Sequence, residues 1–366
     1  MSHVPEPVII VASAEFTLKS SPVRRTLEQR LIDDLRFALS RAGFKGFRVE
    51  KDTARLVVRG LHEARPGAQS CSRVFGVAYA APAFLLQASM EAVLESIVNL
   101  ANEALRSGQS FAIRAHRSSS SPLSRRDIEL KGGSEVLQAL KDRGVTVDLG
   151  HPDLTVHVDL AGERAYVYSE KLQGPGGLPI SSQWKMLAVL DSGPLTLLAA
   201  YAMMRRGCLA ELFVPISNAL PYFASETQLN LARKLRELVT RPSYRVYTLD
   251  LEELLGERLG QHPDLTTTRR LVRVAAGKFA SEKRFKGIIL ADVSGDIGPA
   301  GNLGVGSAEV PVFTPLIGLE HEDLAEMCRL SNLPLANWQE EKFGPARSPV
   351  ELTKSSGELH VQQIAI

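Results

Sequence analysis

Leucines recur four apart at Leu27, Leu31, Leu35 and Leu39. That spacing gives one apolar stripe to a helix predicted over 22–41, with Arg24, Arg25, Arg30 and Arg36 on its outer side. Before it, the branched run at 8–12 predicts a buried strand. Short apolar segments at 47–49, 55–58 and 74–79 predict three more. Val93, Ile97, Leu100 and Leu105 mark a helix over 90–107. Strand, helix, strand, strand in this order fits a small split βαβ module of ferredoxin-like type. The alternating segment SFAIRAH at 110–116 predicts a strand, SSSSPLSRR at 118–126 a polar loop, and 133–141 a helix. Residues 154–159 and 164–168 predict a hairpin that turns at Ala161-Gly162.

The segment GPGGLP at 174–179 marks a boundary, and the texture changes after it. Apolar strands at 186–190, 212–215, 244–248, 287–290 and 310–313 are interleaved with helices at 197–206, 227–239, 268–281 and 321–330. Strands interleaved with helices predict a parallel, doubly wound α/β sheet. The tail after Leu333 has weak periodicity and is expected to form a loop-rich edge.

Composition narrows the function classes. Hydrophobic residues are 44% and charged residues 23%, which excludes a mostly disordered chain. The 43 Lys/Arg nearly balance the 41 Asp/Glu, so a globally basic nucleic-acid coat is excluded but a local patch is not. Aromatics at 6% exclude a protein that works mainly by stacking single-stranded bases. A local excess exists: Arg106, Arg114, Arg117, Arg125, Arg126 and Lys131 face only Asp127 and Glu129 over 106–131. It reads either as a solvated loop or as a patch that touches phosphate. Cys71, Cys208 and Cys328 are far apart, which argues against a disulfide framework or a zinc knuckle. The eight histidines never pair at metal-ligand spacing, so no metal is expected. The apolar stretch at 194–204 is too short to span a bilayer, and the first residues lack a signal peptide's basic start. A cytoplasmic protein without membrane contact is therefore expected. GNLGVG at 301–306 has the wrong spacing for a dinucleotide loop.

Eight segments, in order, resemble the tRNA 4-thiouridine synthetase (tRNA sulfurtransferase) family. They are LKSSPVR at 18–24, RVFGV at 73–77, FAIRAHR at 111–117, HPDLTVHVDL at 151–160, GPGGLPI at 174–180, AAYAMMRRGC at 199–208, RRLVR at 269–273 and PLIG at 315–318. The resemblance implies an N-terminal ferredoxin-like domain over 1–80, a THUMP RNA-binding domain over 81–172 and a linker over 173–182. An ATP pyrophosphatase (PP-loop) α/β domain would follow over 183–366. It also implies a tRNA partner held by its acceptor end, with a homodimer and a catalytic tRNA-modifying partner as further expectations. The basic side chains expected to hold RNA are Lys19, Arg24, Arg25, Arg114, Arg117, Arg125, Arg126 and Lys131. Gly174, Gly176 and Gly177 read either as a linker that needs unusual backbone angles or as amide donors to RNA, and both readings stay open.

The sequence departs from that family at three places. The family's phosphate loop, S-G-G-x-D-S, cradles the ATP pyrophosphate at a helix N-terminus. Here the loop reads Asp191-Ser192-Gly193-Pro194-Leu195-Thr196. Asp191 is expected to set a negative charge against phosphate. Pro194 removes an amide, Leu195 cannot touch phosphate or metal-bound water, and Thr196 keeps a hydroxyl. A capped strand–helix turn is the better reading, with Asp191, Ser192 or Thr196 as the N-cap. The family's C-terminal sulfur-bearing cysteine has no counterpart after Cys328. The family's T-G-E-x-L-G-Q-V falls near 291–298, where the Glu position is Val293. Asp292 and Asp296 there read as part of a glycine-rich turn in preference to a metal pair. The leading expectation is a tRNA-binding protein of tRNA modification with no sulfur-transfer chemistry of its own and no cofactor, ATP/Mg entering only if the degenerate loop still binds it. The competing expectation is an active ATP-dependent tRNA sulfurtransferase with an atypical site and an external sulfur donor.

Overall fold

The computed structural model describes residues 5–14, 19–52, 55–117, 121–256, 264–293, 310–333 and 361–365. Asp296, the segment at 301–306 and residues 334–360 of the tail lie outside them. The chain divides into two units, Met1–Gly176 and Gly177–Ile366.

The first unit contains β1 (Glu6–Ser13), α1 (Ser21–Arg41), β2 (Arg48–Asp52), β3 (Arg55–Arg59), α2 (Ala64–Cys71) and β4 (Val77–Gln87). It continues with α3 (Met90–Ala104), β5 (Ser110–Arg117), α4 (Arg125–Ala139), β6 (Thr146–Val147), β7 (Leu154–Ala161), β8 (Arg164–Tyr168) and β9 (Leu172–Gln173). One sheet runs β2-β3-β1-β4-β8-β7-β5-β6, with β9 also paired to β4. The first four strands and two helices give the expected ferredoxin-like βαββαβ order. The eleven-residue β4 passes through residue 80, pairing β1 on one side and β8 on the other.

Strand alternation decides which face the helices cover. Ile9 lies opposite Pro82, and Phe84 opposite Val167. A Cβ on Gly67 of α2 would meet Ile9 and Leu39 of α1. Val156, Val158, Ala165 and Val167 share a core with Val93 and Ile97 of α3 and Ile128 and Val136 of α4. All four helices therefore lie on one face. The other face carries Val8, Ile10, Val57, Ala81, Ala83, Tyr166 and Tyr168 in a core of its own. It is strongly curled. Arg55 on β3 bonds Asp159 on β7, and Arg164 on β8 bonds Asp52 on β2 at 2.8 Å. Flat packing would hold β3 and β7 about 19 Å apart, four strand spacings.

Two sequence expectations change here. The helix expected at 133–141 begins at Arg125, because Ser124 caps it by accepting from the Asp127 amide at 3.4 Å. The helix α2 was not expected at all. Its Pro66 sits in the first turn, where a missing amide costs nothing, and its Gly67 lets the helix approach Ile9.

In the second unit, β10 (Lys185–Val189), α5 (Pro194–Arg205), β11 (Leu209–Ile216), α6 (Ser225–Leu238), β12 (Val246–Asp250) and α7 (Leu251–Leu255) come first. They are followed by α8 (Leu265–Glu282), β13 (Ile288–Ile289), β14 (Val312–Phe313), α9 (His321–Ser331) and β15 (Val361–Ile364). The sheet order is β14-β13-β10-β11-β12-β15, parallel except for β15, which adds antiparallel to β12 at the edge. This is the doubly wound α/β arrangement expected from the sequence. The strand order reverses between β10 and β13, so the crevice of the fold opens beyond their carboxyl ends. Val189, Phe213, Leu271, Val272, Phe279 and Leu290 pack the core beneath it.

The Gly174 amide donates to the Ala78 carbonyl at 2.9 Å and the Gly176 amide to Val77 at 2.9 Å. A side chain at 174 would collide with the Val77 carbonyl and press on Ser72, both backbone. We predict that Gly174→Ala destabilises the first unit by about 2 to 3 kcal/mol, read as a lower urea midpoint. An unchanged midpoint would refute this packing role.

Candidate functional site: a buried ion quartet and a basic face

The chain leaves β10 through Leu190 and enters α5 through the loop Asp191-Ser192-Gly193. The N-cap of α5 is Gly193, with φ +53 and ψ −135, and no side chain caps the helix. This corrects the expected cap at Asp191, Ser192 or Thr196. The backbone angles suit glycine alone, and Pro194 occupies the first helical position, where its fixed φ suits the helix. The Thr196 hydroxyl turns back and donates to the Val189 carbonyl at 3.2 Å, so it is not offered to a ligand.

Asp191 does not face the crevice as an isolated charge, as its place in the loop had suggested. It is 0 % exposed and turned onto α8, where Arg269 and Arg273 lie four residues apart on one face. Arg273 Nε donates to Asp191 Oδ2 at 2.6 Å. Its Nη1 and Nη2 reach Asp292 Oδ2 at 3.0 Å and Oδ1 at 2.5 Å in a bidentate fork. Arg269 Nη2 donates to Ser192 Oγ at 2.6 Å, and its Nε lies 3.5 Å from Asp191 Oδ2. Ser192 Oγ donates to Asp191 Oδ1 at 2.9 Å. Asp292, read from sequence as part of a bland turn, thus belongs to a buried quartet of two arginines and two aspartates.

The quartet's electrostatics are uneven. Burial pushes the Asp191 carboxyl up, but the charges of Arg273 and Arg269 and the bonds from Arg273 and Ser192 outweigh it, and it titrates below its ordinary value. Burial also pushes Asp292 up, the Asp191 charge adds to it, and the arginines only partly offset this, so Asp292 titrates above its ordinary value. Asp191 therefore contributes stability that is present at neutral pH and lost as pH falls through its folded value. Asp292 works the other way, favouring the folded state at acid pH. Charge is balanced inside the quartet, two guanidinium groups against two carboxylates. The sequence signal for this arrangement was two arginines at i,i+4 on a helix whose Leu271, Val272, Ala275 and Ala276 are buried.

In the first unit, β5 gathers part of the expected basic set. Arg114 bonds the Leu149 carbonyl. Arg117 donates to the Ser121 carbonyl at 3.2 and 2.7 Å. Arg125 pairs with Glu129 at 3.0 Å, and Glu129 accepts the Ala115 amide at 3.0 Å, which ties the start of α4 to β5. Arg126 and Lys131 are exposed on α4. Lys19 and Arg25 are exposed at the start of α1, and Arg24 pairs with Glu28, which also holds Lys51 at 2.6 Å. The amides of Gly174 and Gly176 are spent on β4, and Gly177, at φ +68, sits against the Arg205 carbonyl at the end of α5. These glycines have packing work that leaves the two amides no hydrogen for phosphate. Beyond the expected set, His157 stacks on Tyr168 at 5.1 Å, and Lys171 lies over the rings of Tyr79 and Tyr168 at 5.1 and 5.8 Å.

Cys71, Cys208 and Cys328 are all buried. Burial pushes the Cys71 thiol up to about 12 and raises the other two. No helix among the described residues is long and apolar enough to cross a membrane.

We predict that Arg273→Ala costs about 3 to 5 kcal/mol of stability at neutral pH, because two buried carboxylates lose their main partner. Urea unfolding monitored in the second unit measures it, and a loss below 1 kcal/mol would contradict the burial of the quartet.

Comparison with known proteins sets this geometry in a family. Residues 8–81 match the ThiI ferredoxin-like domain, 87–170 the THUMP domain, and 181–332 the thiamine biosynthesis protein (ThiI) domain. A "Probable tRNA sulfurtransferase" of Thermococcus kodakarensis is 28% identical over 352 residues, covering 89% of this chain and 90% of the relative. One of Aeropyrum pernix is 29% identical over 359 residues, covering 93% and 88%. A crystal structure of a 4-thiouridine synthetase–RNA complex with bound ATP shares the fold, with a TM-score of 0.71 at 20% identity, covering 89% of this chain and 84% of that one. With its ferredoxin-like, THUMP and ThiI domains in succession, the chain belongs to the tRNA sulfurtransferase (4-thiouridine synthetase) family.

Proposed function

We propose that the protein binds tRNA through its first unit and serves tRNA modification without transferring sulfur itself. The observation that carries this reading is the buried quartet. Where the family's loop cradles pyrophosphate, this chain seats Asp191 on two arginines, and a triphosphate would have to displace both carboxylates to use them. Pro194 takes away a loop amide, and no thiol of the chain is both exposed and poised as a thiolate. The RNA-holding side chains we assign are Arg114, Arg117, Arg125, Arg126 and Lys131, with Lys19, Arg24 and Arg25 as a second group on α1. The acceptor end of tRNA is the expected target. A catalytic tRNA-modifying enzyme is the expected partner, and homodimerisation belongs to the same proposal.

The competing reading is an active ATP-dependent sulfurtransferase fed by an external persulfide, and the match of 181–332 to the ThiI domain favours it. One experiment separates them. The full-length chain is incubated with tRNA, Mg-ATP and a persulfide-loaded sulfur donor, and nucleosides are read by mass spectrometry. We expect no 4-thiouridine while tRNA is bound. Its appearance would establish the competing reading. In the binding arm, Arg126→Ala and Lys131→Ala should each weaken tRNA binding evenly across sequences and lower the salt exponent by about one. Unchanged salt dependence would remove α4 from the interface.

A further inference from the structure

The helix-free face of the first unit gathers more positive charge than it can satisfy. Alternation on β5 puts Arg114 and His116 on this face, and alternation on β7 puts His157 and Asp159 there. The curl of the sheet brings Arg55 from β3 across to Tyr168, whose hydroxyl it meets at 3.2 Å. Lys171, just after β8, lies over the Tyr79 and Tyr168 rings. His157 is half-buried against Tyr168 among these groups. The carboxylate nearest in the strand, Asp159, is taken by Arg55 and by the Tyr168 hydroxyl at 2.9 Å. What faces His157 from each packed element is thus Arg114 and His116 on β5, Arg55 on β3, Tyr79 on β4, Tyr168 on β8, Lys171 beyond it and Asp159 on its own strand.

We propose that a phosphate of bound RNA seats among Lys171, His157, His116 and Arg114 on this helix-free face, and that His157 takes one proton from solvent as it does so. The proposal rests on the RNA-binding reading above and adds three residues, Lys171, His157 and His116, and a pH dependence to it. In the free protein, burial holds His157 down to about 4, and the charges of Lys171, Arg55, His116 and Arg114 add to it. At neutral pH the imidazole is therefore uncharged. A phosphate placed among the same cations reverses their effect, because an adjacent anion favours the imidazolium. Binding and proton uptake are then linked, so affinity rises as pH falls. His157 does not add to the self-repulsion of the empty site, since it becomes charged only when the anion is present.

The test is tRNA binding by the full-length chain at constant ionic strength between pH 7 and 5, together with NMR titration of the His157 ring with and without saturating tRNA. We expect the wild-type affinity to rise about tenfold over this range, and His157→Gln to show a rise of less than about twofold. The bound-state imidazole should titrate well above its free value. Lys171→Ala should weaken binding at every pH and lower the salt exponent by about one. A His157→Gln variant that keeps the wild-type rise would overturn the proposal and leave RNA binding standing. So would a His157 titration unmoved by tRNA, or a rise abolished by His116→Gln in place of His157→Gln. Absence of tRNA binding at any pH would overturn the RNA reading itself.

Discussion

The second unit depends on two guanidinium groups of α8 meeting two carboxylates at the ends of β10 and β13. Buried charges persist only when paired and hydrogen-bonded. Arg273 supplies three donors to two aspartates, and Arg269 adds a bond to Ser192. The pairing fixes where α8 lies over the reversal of strand order and which way the loop before α5 turns. It also fills the crevice of a doubly wound sheet with the protein's own charges. The quartet lies at the reversal of strand order in the family fold.

The first unit treats charge in the opposite way. Two of its buried carboxylates, Asp52 and Asp159, are consumed in cross-sheet bonds to Arg164, Tyr166, Arg55 and Tyr168. The remaining cations of β5, α4 and the segment after β8 are exposed. The second unit buries its arginine–aspartate quartet, while the first unit also keeps exposed cations on β5, α4 and after β8. A net charge of +2 for the chain conceals this division.

The regular elements were legible where one period dominates. The four-residue leucine spacing gave α1, and branched runs gave β1, β10 and β11. What escaped was written in ambiguous letters. The strand β4 reads VAYAAPAFLLQ, too rich in alanine to stand out along its full length. ARPGAQSC contains a proline and a glycine that a helix accepts only at the positions they occupy. SSSSPLSRR looked like a loop because its helix signal is a single capping serine. The loop before α5 was expected to depart from the family's, but the fate of Asp191 was not legible. Its partners lie 78 and 82 residues away along the chain, and only the stacking of α8 on the sheet brings them into reach. In sequence, His157 is only one position of the alternating segment at 154–159. Its neighbours come from five separate segments, which no local pattern reveals.

The long strand β4 has a consequence for how this chain can be divided. It pairs Glu6–Ser13 along one edge and Arg164–Val167 along the other, while Asp52–Arg164 and Arg55–Asp159 tie the outer strands across the curl. The ferredoxin-like and THUMP segments thus share a hydrogen-bonded strand, β4, and two polar clasps. They form one compact unit, so neither could be excised without exposing backbone groups of β4 or its partners that the other now satisfies.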